Sequence, residues 1–308
     1  MNTKNSTKKI IDFMGHRKLA ALISILLIVG SVISLASKGL VLGLDFTGGT
    51  QIELGYQQPA DLANIRTQLS TAGFENPVVI HFGSERDVLI RLQGKPEVGL
   101  SERVLMALDN GGQSLDLRRV DFVGPQVGEE LREDGGLGML AALAVVMLYV
   151  AIRFQYKFSV GAVVALVHDV IITLGFFSVA GLEFDLTVLA AVLAVVGYSL
   201  NDTIVVSDRM RENFRLLRVA DAIQVINQSL TQTLGRTLIT SITTLLVLLS
   251  LLLFGGALIH NFAIALMVGI VVGTFSSHYV ATNILLVMDM TREDLLPPEK
   301  EGPEFEGP

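Results

Sequence analysis

Val196-Gly-Tyr-Ser-Leu-Asn-Asp-Thr-Ile-Val-Val-Ser-Asp-Arg209 closes a long apolar run that begins at Leu186 and leads directly into a charged segment. Asp202 lies inside the apolar part, with two valines still to follow. A carboxylate near the centre of a membrane span costs about 2.5 to 3.5 kcal/mol, so Asp202 is expected to face a partner or a water-filled cavity. The best basic partner in the chain is Arg236, near the start of the next apolar run.

The composition is that of a polytopic membrane protein. Of 308 residues, 51% are hydrophobic and only 17% are charged, which excludes an ordinary soluble domain. Cysteine is absent, which excludes disulfides and thiolate metal sites. Nothing indicates nucleic-acid binding, because the arginines cluster where membrane topology favours them.

Six apolar runs are long enough to cross a bilayer. The first run, 19–37, follows a basic N-terminus, 1–18. The alternative to an uncleaved span is a signal peptide, but no convincing small-residue cleavage site follows the run. The other five spans lie within 135–288, together with an amphipathic segment, 208–229, that is predicted to lie along the cytoplasmic membrane surface. The tail, 289–308, is rich in Glu and Pro and is predicted to be disordered.

Residues 38–134 contain no spanning run, and their periodicity alternates between strand and helix. The order strand, helix, strand, strand, helix, strand is typical of a small ferredoxin-like α+β domain. The predicted elements are 50–54, 60–72, 76–82, 87–92, 104–108 and 114–123.

The basic residues are distributed asymmetrically between the two sides of this topology. Short segments on the side of both termini carry 14 of the 23 Lys and Arg residues, whereas the hairpins near 181–185 and 255–261 carry none. The positive-inside rule therefore predicts that both termini are cytoplasmic and that the domain within 38–134 is periplasmic.

Helical spacing places further polar residues beside Asp202 and Arg236. Thr240 follows Arg236 by one turn, and Tyr198 and Ser199 share a face with Asp202. Such a stripe can hold water or relay protons. The alternative is a fixed ion pair that merely fastens two helices.

A second polar pair, His168-Asp169, lies in the middle of the third span. The pair is expected either to hydrogen-bond to neighbouring helices or to form a second proton relay. A metal or hydrolase site is disfavoured, since no further His or Glu lies at ligand spacing. Gly269 and Gly273 form a GxxxG helix-packing motif. Beyond it, Ser276-Ser277-His278 are candidates for the same wet interior.

Two glycine-rich segments flank the predicted domain. Gly43-Leu-Asp-Phe-Thr-Gly-Gly49 leads in, and Phe122-Val-Gly-Pro-Gln-Val-Gly128 leads out. The first lacks the Lys and Ser/Thr of a phosphate-binding P-loop, so both are predicted to be structural elbows, with Asp45 fixing the first turn. The elbow residues are Gly43, Asp45, Gly48, Gly49, Gly124, Pro125 and Gly128.

Together these segments resemble the SecF family, the smaller membrane subunits of the SecDF protein-export complex within the RND superfamily. The resemblance covers nearly the whole chain in order. Besides the two elbows, it rests on Ala165-Leu-Val-His-Asp-Val-Ile-Ile-Thr-Leu-Gly175, Gly197-Tyr-Ser-Leu-Asn-Asp-Thr-Ile-Val-Val-Ser-Asp-Arg209 and Ser229-Leu-Thr-Gln-Thr-Leu-Gly-Arg-Thr-Leu-Ile-Thr-Ser241.

The resemblance implies a half-transporter of six spans and one outer domain in the bacterial inner membrane. It implies a SecD-like partner, the SecYEG channel, a YajC-like small subunit and unfolded preprotein as substrate. The proton gradient, or sodium in some organisms, drives export in this family, and the coupling residues fall on Asp202, Arg236 and Thr240. No enzymatic activity, metal or cofactor is implied.

The mechanism expected from these residues is an exchange of partners. Ionised Asp202 pairs with Arg236, and a proton arriving from outside releases the arginine. Losing one member of a buried pair costs several kcal/mol, comparable with about 2.3 kcal/mol per charge per 100 mV. The alternatives are a small-molecule or lipid exporter of the RND type, an intramembrane hydrolase, and a passive scaffold.

Overall fold

Six helices of the computed structural model are long and apolar enough to cross a membrane. They are α1 (Arg17–Ser37), α5 (Pro125–Arg153), α6 (Tyr156–Ala180), α7 (Leu186–Leu216), α8 (Ala222–Phe254) and α9 (His260–Val287). The structure describes residues 10–82, 84–92, 99–109, 115–217, 221–290 and 294.

Helices α6, α7 and α9 form the centre of the bundle, with α1 packed on α6 and with α8 packed on α7 and α9. Small residues allow the close approach. A Cβ atom on Gly269 would lie 2.1 Å from Cγ2 of Val195, and one on Gly273 would lie 3.0 Å from Cβ of Ser199. The predicted GxxxG packing face is therefore confirmed, and it draws α9 onto α7.

The first short elements connect α1 to the small domain. Strand β1 (Val41–Leu42) is followed by the single helical turn α2 (Leu44–Thr47). Strand β1 pairs in parallel with β6 (Glu183–Phe184), which lies in the hairpin between α6 and α7. We call the end of the bundle that carries this hairpin the domain side.

The small domain is a four-stranded antiparallel sheet with two helices. Its elements are β2 (Gly49–Gly55), α3 (Leu62–Thr71), β3 (Val78–Phe82), β4 (Ser84–Leu92), α4 (Leu100–Leu108) and β5 (Asp116–Val123). The strand order is β3-β4-β2-β5. The chain forms two strand-helix-strand units, β2-α3-β3 and β4-α4-β5. In the sheet, β4 lies between β2 and β3, and β2 lies between β4 and β5. Ile52, Ile90 and Leu69 are buried in the core between sheet and helices.

Two boundaries differ from the prediction. Helix α5 begins at Pro125, so the acidic stretch up to residue 134 belongs to a spanning helix and not to the domain. Gly124 is extended and Pro125 occupies the first helical position, where proline is favoured. The predicted surface segment 208–229 is not a separate helix, because α7 continues to Leu216 and α8 begins at Ala222. The tail 289–308 lies mostly outside the described residues.

The two predicted elbows pack directly against each other. A Cβ atom on Gly48, whose φ of 65° favours glycine, would lie 2.8 Å from Cα of Pro125. One on Gly128 would lie 2.8 Å from the backbone nitrogen of Gly48. Asp45 was predicted to fix its own turn. In the structure its carboxylate instead accepts a 3.2 Å hydrogen bond from the backbone N–H of Leu186, the first residue of α7.

Candidate functional site

Hydroxyl groups from two neighbouring helices bind the Asp202 carboxylate. Thr237 of α8 donates to Oδ1 at 2.6 Å, and Ser277 of α9 donates to Oδ2. The Asp202 side chain is 11% exposed and lies on α7, between these two helices. A carboxylate in such a place is stabilised by the donors that reach it, since water is largely excluded.

Among the residues that the structure describes, the basic group nearest to this carboxylate is an imidazole. Nδ1 of His278 lies 3.9 Å from Oδ2 of Asp202 and 2.9 Å from the backbone carbonyl of Thr274. The shorter contact makes Nδ1 a donor to the carbonyl of its own helix. Nε2 of His278 is buried and has no hydrogen-bond partner among the described residues.

Arg236 is not paired with Asp202 in this structure. Within the described part of the chain, no ion pair of 4.0 Å or less joins them, and the arginine is exposed. Both residues line one small crevice between α7 and α8. In this arrangement the Asp202 oxygens are turned towards hydroxyls on α8 and α9, and the exchange of partners with Arg236 stays a prediction.

Thr240 lies one turn from Arg236 on the same exposed face of α8. Its hydroxyl donates to the carbonyl of Arg236 at 2.9 Å, a local bond common for threonine in helices. Thr243 and Thr244 bond in the same way to carbonyls of the preceding turn. On this exposed face of α8, the hydroxyls of Thr240, Thr243 and Thr244 are therefore engaged with their own helix.

His168 and Asp169 form a second buried polar group, deep between α6, α7 and α9. Nδ1 of His168 lies 2.9 Å from Oδ1 of Asp169. Ser199 of α7 and Ser276 of α9 donate to Oδ2 of Asp169 at 2.5 and 2.8 Å. These contacts agree with the interpretation of hydrogen bonding to neighbouring helices. Nε2 of His168 is buried without a partner among the described residues.

Tyr198 and Ser199, which were expected to share a face with Asp202, have different hydrogen-bond partners. Ser199 donates to Asp169, whereas the Tyr198 hydroxyl donates to Ser241 of α8 at 3.3 Å. Ser241 is in turn 2.8 Å from the hydroxyl of Thr274 on α9. A chain of hydroxyls therefore crosses from α7 through α8 to α9 beside Asp202.

Sequence reasoning gave too little weight to Thr237 and Ser277, the two direct partners of Asp202. Thr237 adjoins Arg236 in the sequence, and Ser277 was only one of three candidates beyond the GxxxG motif. The usable signal is that Ser276 and Ser277 follow Gly273 by one turn. A glycine that draws α9 onto α7 also brings the next turn within reach of the α7 carboxylate.

Two protein-family models match the chain. The one described as "Protein export membrane protein SecD/SecF, C-terminal" matches residues 104–291, and the one described as "SecD/SecF GG Motif" matches residues 33–60. The second model includes the elbow that contains Gly48 and Gly49.

Curated relatives agree over almost their full length. The chain is 53% identical over 300 residues to the protein translocase subunit SecF of Pseudomonas aeruginosa, covering 97% of each sequence. It is 44% identical over 305 residues to the protein translocase subunit SecF of Escherichia coli O157:H7, covering 97% of this chain and 94% of that protein.

Solved structures have the same architecture. The crystal structure of SecDF, a translocon-associated membrane protein from Thermus thermophilus, matches with a TM-score of 0.84 and 37% identity over 92% of this chain. This match spans only 39% of the solved SecDF chain. A structure of SecDF in a super-membrane-facing form matches with a TM-score of 0.69. The chain belongs to the SecF family of protein translocase subunits.

Proposed function

We propose that this chain is the SecF-like subunit of a proton-motive-force-driven accessory to Sec translocation. In this role it helps to draw unfolded preproteins out of the SecYEG channel on the periplasmic side. The observation that carries the proposal is the position of Asp202, a carboxylate in the bundle interior whose oxygens are bound by hydroxyls from two other helices. Buried ionisable groups in spanning helices are typical of ion pathways.

The proposed setting is the bacterial inner membrane with both termini in the cytoplasm. The lysine and arginine distribution supports this orientation. The four-stranded unit is then a periplasmic, ferredoxin-like domain, for which the strand order β3-β4-β2-β5 and the antiparallel pairing are the support.

The proposed partners are a SecD-like subunit, the SecYEG channel and a YajC-like small membrane subunit. The exposed face of α8 that carries Arg236 and Thr240 supports a lateral partner, because a guanidinium facing lipid at this depth is costly. A SecD-like half packed on this face would shield the arginine and supply a second carboxylate. Membrane lipid surrounds the assembly, and no nucleic acid takes part.

The proposed cycle is an exchange of partners at Asp202. The described arrangement, with Asp202 bound by hydroxyls and Arg236 outside, is one of the two states of the proposed cycle. In the other state Arg236 lies in the shared crevice and pairs with ionised Asp202, and a proton arriving at the carboxylate releases the arginine. The gradient supplies about 2.3 kcal/mol per charge per 100 mV and about 1.4 kcal/mol per pH unit, enough to bias two helix packings.

The transported ion is proposed to be the proton, with sodium as the second candidate; no cofactor, metal or enzymatic activity is part of the proposal. His168, Asp169, Ser199 and Tyr198 are proposed as a secondary relay group beside the main site. The contacts of Asp169 support a fastening role equally, and its variants distinguish the two roles.

Two other functions make different predictions. A small-molecule or lipid exporter of the RND type would change the sensitivity of a deletion strain to exported compounds while leaving protein secretion normal. A passive scaffold would keep full activity when Asp202 is replaced by asparagine.

The test is a pulse-chase measurement of secretion in cells whose only copy of this subunit is the wild type, Asp202→Asn or Asp208→Asn. Asp208 is the matched control, because it lies on the same helix but is 41% exposed and bound to Arg153 at 3.0 Å. We expect Asp202→Asn to assemble normally and to export as slowly as a deletion strain, and Asp208→Asn to export normally. Wild-type export by Asp202→Asn would exclude the proposed cycle.

A further inference from the structure

An ion pair joins the small domain to the membrane bundle. Nη2 of Arg91, on β4 of the domain, donates to Oε1 of Glu183 in the hairpin between α6 and α7. The same nitrogen donates to Oε1 of Gln51 on β2 at 3.3 Å. Arg91 is only 7% exposed and the Glu183 side chain is 21% exposed, so this contact is partly buried and unlike an ordinary surface salt bridge.

The backbone of Glu183 is fixed by contacts with α9 and with β1. The side chain of Asn261, at the start of α9, donates to the Glu183 carbonyl at 3.1 Å. Glu183 also pairs with Val41 in the parallel ladder of β1 and β6. A Cβ atom on Gly43 would lie 2.9 Å from Oε1 of Glu183, so glycine at position 43 leaves room for this carboxylate.

Two of the three helices that form the site around Asp202, α7 and α9, begin beside this hairpin. Asp202 lies 16 residues after Leu186, the first residue of α7, and Ser277 lies 16 residues after Asn261. At 1.5 Å per residue, each segment is about 24 Å long. These two parallel segments begin beside Glu183 and end at the hydrogen bond between Ser277 and Asp202.

The domain does not rest on the bundle everywhere. A cleft of about 910 Å³ lies beside the ion pair, with Ile80 of the domain on one wall and Leu252 of α8 on another. Arg91 and Glu183 also line this cleft. The ion pair therefore bridges the two bodies at the edge of an open space.

We propose that Arg91 and Glu183 form a strut that makes the small domain move as one body with the domain-side ends of α7 and α9. The strut adds a third link to the two elbows, and it transmits a change at Asp202 to the domain. The inference rests on the proposed function, because it assigns a mechanical role within that cycle. Arg91 and Glu183 are positioning residues and do not carry the transported ion.

Two opposing effects act on the pKa of the Glu183 carboxyl, and both are consistent with a positioning role. Burial raises the pKa of its carboxyl above the ordinary glutamate value, while the charge of Arg91 acts in the opposite direction. A partly buried ion pair of this kind adds little net stability, but it fixes the direction in which two bodies meet.

The first test compares Arg91→Ala with the charge exchange Arg91→Glu/Glu183→Arg. Export and proton uptake are measured in membranes that contain the full complex, and copurification with the SecD-like subunit reports assembly. We expect Arg91→Ala to assemble, to retain proton uptake and to lose export at least tenfold, and we expect the exchanged pair to recover most of it. Arg119→Ala is the matched control, because Arg119 lies in the same cleft but is exposed and bonds Asp121 on its own strand.

The second test uses the absence of cysteine in the natural chain. In Arg91→Cys/Glu183→Cys, we expect low export before treatment and recovery after a short bis-maleimide linker joins the two sites. This variant keeps the proposal testable if Arg91→Ala fails to assemble.

The possible outcomes distinguish failure of the strut proposal from failure of the proposed cycle at Asp202. Full export by assembled Arg91→Ala, or failure of both the charge exchange and the linker to restore export, would overturn the strut. If Asp202→Asn is inactive while Arg91→Ala is fully active, only the strut fails. If Asp202→Asn is fully active, the proposed cycle itself fails.

Discussion

Ser277 of α9 donates a hydrogen bond to Asp202 of α7, and its neighbour Ser276 donates to Asp169 of α6. Adjacent residues project about 100° apart around a helix, so a single turn of α9 reaches carboxylates on two other helices. Gly273, one turn earlier, allows this approach because even a Cβ atom there would contact Ser199. The structure thus connects the two buried carboxylates through α9, although they lie on different helices.

The first prediction concerns Ser277. Ser277→Ala removes a donor from the Asp202 carboxyl, and a hydrogen bond to such a group is worth about 1.5 to 3 kcal/mol. We expect proton-dependent export to fall about tenfold or more, since 1.4 kcal/mol corresponds to a factor of ten. Ser277→Thr, which keeps the hydroxyl, should retain most activity. Ser250→Ala, on the exposed face of α8, is the control; equal activity of both alanine variants would contradict the role of Ser277.

The second prediction concerns the contact of α7 with α9. Gly269→Ala would place a methyl group 2.1 Å from Cγ2 of Val195, and overpacking of this kind costs about 1 to 3 kcal/mol. The thermal midpoint of the solubilised chain should therefore fall, and Val195→Ala should partly restore it in the double variant. Gly138→Ala has open space around it and should be neutral or slightly stabilising. A double variant less stable than Gly269→Ala alone would argue against this packing.

The third prediction separates fastening from proton relay at Asp169. Asparagine keeps an oxygen for Ser199 and Ser276 but cannot carry the proton in the same way, whereas alanine leaves buried hydroxyls without their acceptor. We expect Asp169→Asn to retain at least half of proton-dependent export and Asp169→Ala to lose thermal stability. A stable Asp169→Asn chain with no proton-dependent export would instead establish the relay.

The fourth prediction is a pH dependence at Glu183. Burial raises the pKa of its carboxyl, Arg91 lowers it, and Asp185 and Asp45 raise it further. With a raised pKa, the folded chain keeps a proton that the unfolded chain has lost. Stability from this group is therefore present at low pH and is lost as the pH rises from the ordinary glutamate range through the folded-state pKa.

Glu183→Gln should remove this contribution. Thermal unfolding of the solubilised chain, measured from about pH 4 upward, should show a flatter profile for the variant than for the wild type. Identical profiles would mean that Glu183 does not contribute to the pH dependence.

Much of the architecture was predictable because hydropathy and periodicity are local signals. Long apolar runs marked the six spans, and strand-helix alternation marked the elements within 49–123. The start of α5 at Pro125 was missed, because its first turns carry the acidic residues Glu129, Glu130, Glu133 and Asp134 and resemble a soluble segment.

The site was predictable in its carboxylate but not in its partners. Asp202 stands out as a charge within an apolar run, whereas the choice between Arg236 and Ser277 depends on how α7 is rotated against α8 and α9. That rotation is set by packing, including the approach of Gly269 to Val195. The contact of Arg91 with Glu183 joins residues 92 positions apart, and no local pattern indicates it.

The most direct test of the exchange at Asp202 measures preprotein entry into inverted membrane vesicles that contain the full complex. Entry is compared with an imposed proton gradient and after a protonophore collapses it, for the wild type, Asp202→Asn and the control Asp208→Asn. The account predicts that the gradient accelerates entry for the wild type and Asp208→Asn and has no effect for Asp202→Asn. An equal acceleration for Asp202→Asn would contradict it.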